Sequence, residues 1–117
     1  MRIRSFKEFS FSAAHCLDGM PEGHPCKAVH GHNYKVRLEV QGKKDNAGMV
    51  MDFREIKNKV QPLIDQLDHS NLNDIMPVTT SEGIAEWFYL QLRDKLPGLV
   101  KIEIRETDTC GAVWMII

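Results

Sequence analysis

After a pair of histidines, the chain alternates strictly from Tyr34 to Gln41: Tyr34, Val36, Leu38 and Val40 are apolar, and Lys35, Arg37, Glu39 and Gln41 between them are polar. A helix repeats about every 3.6 residues and cannot place such a pattern on one side, so the segment His30 to Gln41 is predicted to be a strand buried on one face. The same alternation runs between Arg2 and His15, where Phe9, Phe11, Ala13 and His15 share a side and Glu8, Ser10 and Ser12 take the other. Near the end, Val100, Ile102 and Ile104 alternate with Lys101, Glu103 and Arg105, and the terminal AVWMII run reads as a short apolar strand.

Between these pairs of strands lie two helical patterns. The first carries Phe53, Ile56, Val60, Leu63, Ile64 and Leu67 at spacings mostly of three and four, with Pro62 inside it predicting a bend or a restart. The second opens at Thr79, Thr80 and Ser81, where Thr79 and Glu82 form a possible capping box. It buries Ile84, Ala85, Phe88 and Leu92 and stops before Pro97-Gly98. The predicted order is β-β-α-α-β-β, an α+β architecture in which a four-stranded antiparallel sheet is covered by two helices on one face. Such a sheet has two open edges, which makes pairing with another subunit physically plausible.

The 117 residues fit one domain, 1–117, and 43% hydrophobic content is enough to build its core without disulfide staples. A formal charge of -1 leaves no basic excess for nucleic acid and no acidic tail, which favours a small-molecule or protein partner. Three cysteines without repeated spacing argue against a secreted disulfide framework and for a reducing, cytoplasmic setting. The opening MRIRSFKEFSF lacks the apolar core of a leader, and no stretch is long and apolar enough for a spanning helix, so no membrane role is expected.

Strand parity gives the histidines their meaning. His30 and His32 flank Gly31 and share the face of Tyr34, Val36 and Leu38, while His15 ends the apolar face of the first strand. A lone histidine there would be a satisfied core residue. Three of matching parity, brought together if the strands pair, form the three-histidine set with an open fourth position that marks catalytic rather than structural zinc. Cys26 lies four residues before His30 on the Pro/Gly-rich segment CLDGMPEGHPCKAV, beside His24 and Lys27, where a cationic neighbour would expose a thiolate. It reads as a base or nucleophile, as an inert small hydrophobe, or as a fourth ligand that closes a structural zinc module. Cys16 and Cys110 read as structural. Asp68-His69 follows the first helix, where an Asp beside a His can fix a tautomer or relay a proton, or simply complete a helix end. Glu106 continues the parity of Val100, Ile102 and Ile104, so a carboxylate enters the apolar face and needs a partner: an internal salt bridge, or an amidine-like ligand edge.

Taken together, FSAAH, C-x3-H-G-H-x-Y, MDF, LDH-x-x-LN, PVTTSE and the late E-T resemble motifs that occur in the same order in the 6-pyruvoyl-tetrahydropterin synthase family. The three residues between Cys26 and His30 resemble more narrowly the 6-carboxytetrahydropterin synthase branch of queuosine biosynthesis. The resemblance implies a T-fold whose subunits pair their sheets into a barrel, usually as a homohexamer with active sites at subunit interfaces. It also implies 7,8-dihydroneopterin triphosphate as substrate. Carried over by position, His15, His30 and His32 are implied as zinc (Zn2+) ligands, Cys26 as the base, Asp68 and His69 as the proton relay, and Glu106 as the pterin anchor. Ser70 departs from the pattern, since many relatives of that branch have a second histidine there. The implied rivals are 6-pyruvoyl product formation from the same substrate and a non-catalytic zinc module.

Overall fold

In a computed structural model, which describes residues 2–116, the chain follows the predicted order. Strands β1 (Ile3–His15) and β2 (His30–Gly42) precede helices α1 (Phe53–Leu67) and α2 (Ser81–Leu92), and β3 (Leu99–Arg105) and β4 (Gly111–Met115) follow. The strands form one antiparallel sheet in the order β1-β2-β3-β4. Ile117, the last residue of the expected terminal strand, lies outside the described residues.

The alternation sorts the side chains as the pattern requires. Phe9, Phe11 and Ala13 of β1, Tyr34, Val36, Leu38 and Val40 of β2 and Ile102 and Ile104 of β3 form one buried cluster with Ile56, Val60 and Leu67 of α1 and Ile84, Phe88 and Leu92 of α2. The opposite face of the sheet is a charged ladder. Its one buried carboxylate, Glu39, lies 3.5 Å from Arg4, 3.3 Å from Arg37 and 3.5 Å from Lys101, a compensation that burying a charge demands. At the far edge of the sheet Trp114 of β4 stacks on Tyr89 of α2, with ring centroids 4.0 Å apart.

Three local expectations are corrected. Of the bend or restart expected at Pro62, the restart does not occur: helix α1 runs through the proline as a single segment. The carbonyl that the proline leaves without its N–H partner belongs to Asn58, which is exposed and can be satisfied by water. Phe53 is exposed at the first helical position, so the buried stripe starts at Ile56. The cap of α2 is Thr80, whose hydroxyl accepts the Gly83 N–H at 3.1 Å; Thr79 is instead buried and turned toward β1. Among the described residues no helix is long and apolar enough to cross a membrane.

Candidate active site

The hairpin of β1 and β2 builds the histidine cluster by register alone. His15 is directly opposite His30, and His32 is opposite Ala13, two residues along on the same face. The imidazole centroids are 4.6 Å (His15–His30), 4.9 Å (His30–His32) and 5.2 Å (His15–His32) apart. One ring nitrogen from each lies within 4.8 Å of the others, so the three side chains form a group that could hold a metal ion.

The hydrogen bonds decide which nitrogens face inward. His15 donates its Nδ1–H to the carbonyl of Thr79 and His30 donates its Nδ1–H to the carbonyl of Ala28, both at 2.8 Å, because a carbonyl can only accept. In neutral rings the Nε2 atoms then carry lone pairs, yet those of His15 and His30 face one another at 3.0 Å. Nε2 of His32 is buried without a hydrogen-bond partner among the described residues. Burial first holds the His32 imidazole below its usual pKa, with His15 and His30 adding to the effect and Glu106 opposing it. Three converging ring nitrogens, with the second nitrogens of His15 and His30 fixed by carbonyls, are the donor set a zinc ion takes. The residues therefore fit the metal that the sequence pattern implies.

Glu106 stands one residue beyond β3, its backbone N–H bonded to the Cys110 carbonyl at 2.9 Å. Its Oε1 is 3.4 Å from Nε2 of His15 and 3.6 Å from Nε2 of His32, and the side chain remains 26% exposed. Beneath the cluster, Tyr34 stacks on Phe11 with centroids 4.9 Å apart and is fully buried, its hydroxyl lacking a partner among the described residues. Burial, and then the charge of Glu106, push the Tyr34 phenol far above its ordinary pKa, so it is a neutral donor.

Cys26 occupies a short 3-10 turn, Pro25–Lys27, whose start is capped by His24: Nδ1 of that ring accepts the Cys26 N–H at 3.0 Å. The thiol is half-buried and does not belong to the histidine group. Lys27 turns its ammonium to Glu22 at 3.0 Å. Cys16 is half-buried and its thiol donates to Asp18 at 3.5 Å, while Cys110 is exposed, and both are free.

Asp68 and His69 form a dyad at the edge of β1. Asp68 caps the end of α1, accepts the Ser12 N–H at 2.8 Å on one oxygen and pairs with Nδ1 of His69 at 2.9 Å on the other. The Ser12 N–H is the main reason its carboxyl is held below the usual range, with His69 contributing further. His69 has φ 60, uncommon for a non-glycine residue, and its N–H is tied to the Ser12 carbonyl at 2.6 Å. This turn aims an imidazole that is 84% exposed outward from the sheet edge. An open cleft of about 420 Å³ is bordered by Ser12, Gly31, His32, Asn33 and His69. Of the residues read from sequence, the structure thus gathers His15, His30, His32 and Glu106, places His69 of the dyad on the cleft that His32 also borders, and leaves the Cys26 thiol outside the histidine group. The buried Thr79 carbonyl and the Tyr34 hydroxyl were missed, although PVTTSE and the parity of Tyr34 both carried a signal.

A family model described as 6-pyruvoyl tetrahydropterin synthase matches residues 4–115. The chain is 40% identical over 116 residues to the 6-carboxy-5,6,7,8-tetrahydropterin synthase of Synechocystis sp., covering 92% of this chain and 88% of that one. It is 37% identical over 103 residues to the dihydroneopterin monophosphate aldolase of Pyrococcus furiosus, covering 88% and 86%. Among solved structures, Caenorhabditis elegans 6-pyruvoyl tetrahydropterin synthase superposes with a TM-score of 0.88 at 26% identity, over 100% of this chain and 97% of that one.

Proposed function

The chain belongs to the 6-pyruvoyl tetrahydropterin synthase family of pterin-forming enzymes, and we propose that it is a zinc-dependent 6-carboxy-5,6,7,8-tetrahydropterin synthase of queuosine biosynthesis. Its substrates are 7,8-dihydroneopterin triphosphate and water, and its products are 6-carboxytetrahydropterin, acetaldehyde and triphosphate. The observation that carries the catalytic reading is the convergence of one ring nitrogen from each of three histidines, with Nδ1 of His15 and of His30 anchored on carbonyls. The 40% identity to the Synechocystis enzyme of that name supports the choice of branch, as does the three-residue gap between Cys26 and His30.

When bound to His15, His30 and His32, zinc supplies Lewis acidity that acidifies the C–H beside the side-chain hydroxyls of the substrate. Cys26 takes that proton as a thiolate. Asp68 fixes the Nδ1–H tautomer of His69, leaving Nε2 of that ring to carry protons. Glu106 accepts two parallel hydrogen bonds from the 2-amino and N3–H edge of the pterin. The exposed position of His69 on the β1 edge supports a site completed between subunits, and a cytoplasmic homohexamer is the assembly proposed. A closed module of one cysteine and three histidines is disfavoured, because the Cys26 thiol stands outside the histidine group.

The test is to give the zinc-loaded protein 7,8-dihydroneopterin triphosphate and identify the pterin and any aldehyde by mass spectrometry. Acetaldehyde with a 6-carboxy pterin is the expected result, and a 6-pyruvoyl product would move the protein to the sister activity. Turnover of dihydroneopterin monophosphate alone would favour the activity named for the Pyrococcus relative.

A further inference from the structure

We infer that Glu106 is itself a metal ligand in the pterin-free protein: its carboxylate closes the fourth position of the centre formed by His15, His30 and His32, and leaves it for the pterin edge when that edge arrives. The inference rests on the zinc and pterin-anchor roles proposed above and adds that Glu106 alternates between them.

The distances make the argument. Oε1 of Glu106 lies 3.4 Å from Nε2 of His15 and 3.6 Å from Nε2 of His32, beyond the N–H···O range of about 2.7 to 3.2 Å. In the neutral ring the Nδ1–H of His15 is committed to Thr79, so its Nε2 lone pair faces the carboxylate. In that tautomer an acceptor oxygen faces an acceptor nitrogen, an arrangement that a cation between them relieves, and the spacing suits a metal ion better than a shared proton. In a tetrahedral zinc centre with metal–ligand bonds of about 2.0 to 2.2 Å, neighbouring donor atoms are about 3.3 to 3.6 Å apart. Glu106 stands near that separation from two of the three histidines.

The side chain is also built to move. Its backbone is fixed by the hydrogen bond to Cys110, and it emerges beyond the last paired residue of β3. Neither carboxylate oxygen makes a hydrogen bond to another described residue, and the side chain keeps a partial opening to solvent. Charge gives the exchange a purpose. Three neutral imidazoles leave a zinc site at +2 beside the fully buried His15, and a carboxylate ligand halves that charge. Only a molecule presenting a pterin-like donor edge draws the carboxylate off and opens the fourth position, so compounds carrying hydroxyls and phosphates alone meet a closed centre. Glu106 would then set specificity at the metal as well as at the ring.

Cobalt(II) in place of zinc makes the fourth position visible. Water on a three-histidine metal ionises near pH ~7, so an open cobalt centre changes its visible spectrum across that range. The wild-type protein should show no such transition, whereas E106Q and E106A should both acquire it and bind cobalt about ten- to a hundredfold more weakly. Adding 6-methylpterin, which has the donor edge but no side-chain hydroxyl, should uncover the transition in the wild type. A pterin-free wild type that already titrates, or bound 6-methylpterin that leaves the spectrum unchanged, overturns the inference. Failure of the underlying metal reading looks different: a wild type that takes up no cobalt, or His30→Ala that keeps it, removes the three-histidine centre itself and the inference with it.

Discussion

Nδ1 of His15 and the carbonyl of Thr79 lie 2.8 Å apart although 64 positions separate the two residues in the chain. The contact ties the end of β1 to the segment that leads into α2 and fixes which nitrogen of His15 faces the cluster. The Thr79 hydroxyl helps to hold that carbonyl in place by donating to the Cys16 carbonyl at 3.3 Å. Thr79→Val keeps the shape and deletes the hydroxyl, and should weaken zinc binding by about tenfold, as loss of an outer partner of a ligand usually does. Competition with a chromophoric chelator measures it, and rescue by Thr79→Ser would confirm that the hydroxyl is responsible. Wild-type affinity in Thr79→Val would remove Thr79 from a positioning role.

His30→Ala and Cys26→Ala should separate metal binding from proton abstraction. His30 supplies one of three converging nitrogens, so the wild type should bind one zinc per chain and loss of His30 should empty most of the site. Cys26 stands outside the group, so its alanine variant should keep the metal and the fold and lose turnover. Elemental analysis beside a product assay reads both. Full zinc in His30→Ala, or zinc leaving with the Cys26 thiol, contradicts these assignments.

Asp68 gives a pH signature. Its folded pKa is lowered, chiefly by the Ser12 N–H, so the ionised carboxylate contributes stability that is complete above the ordinary carboxylate range and is lost as the pH falls through the lowered value. The difference in melting temperature between the wild type and Asp68→Ala should therefore be constant from neutrality to about pH 4 and shrink below it. A difference that instead grows with acidity would reverse the sign and refute the account.

Tyr34→Phe should stabilise the metal-free protein. The hydroxyl is buried without a partner, a condition that costs about 1 to 3 kcal/mol, and phenylalanine preserves the stack on Phe11. Urea unfolding in the presence of EDTA should show a gain of roughly 1 kcal/mol. A loss would mean that the hydroxyl has a partner in solution.

What the sequence made legible follows the range of the interactions involved. Parity is local, so the alternation in β1 and β2 placed His15, His30 and His32 on the buried side before any pairing was known, and it placed Glu106 on the same side of β3. The partner of Glu106 was not legible, because it depends on β2 and β3 meeting across the whole helical segment. Thr79 looked like a cap because hydroxyl residues at a helix start usually are; the structure gives that task to Thr80 and buries Thr79 against β1. The Asp68–His69 pairing was foreseen, but its direction was not. That direction is set by the positive φ of His69 and by two hydrogen bonds to Ser12, neither of which has a pattern to read.

The β1–β2 register divides the early chain into parts with unequal freedom to change length. One residue inserted between Phe11 and His15, or between His32 and Val40, would reverse the parity between the imidazoles and the apolar core, so that one or the other would face outward. Residues 16–29 are bound by no such parity, since His15 and His30 are already paired at their two ends. Insertions and deletions can accumulate there while the metal donors stay where they are. The segment that carries Cys26 is thus the natural place for descendants of this hairpin to diverge in chemistry without losing the centre they inherit.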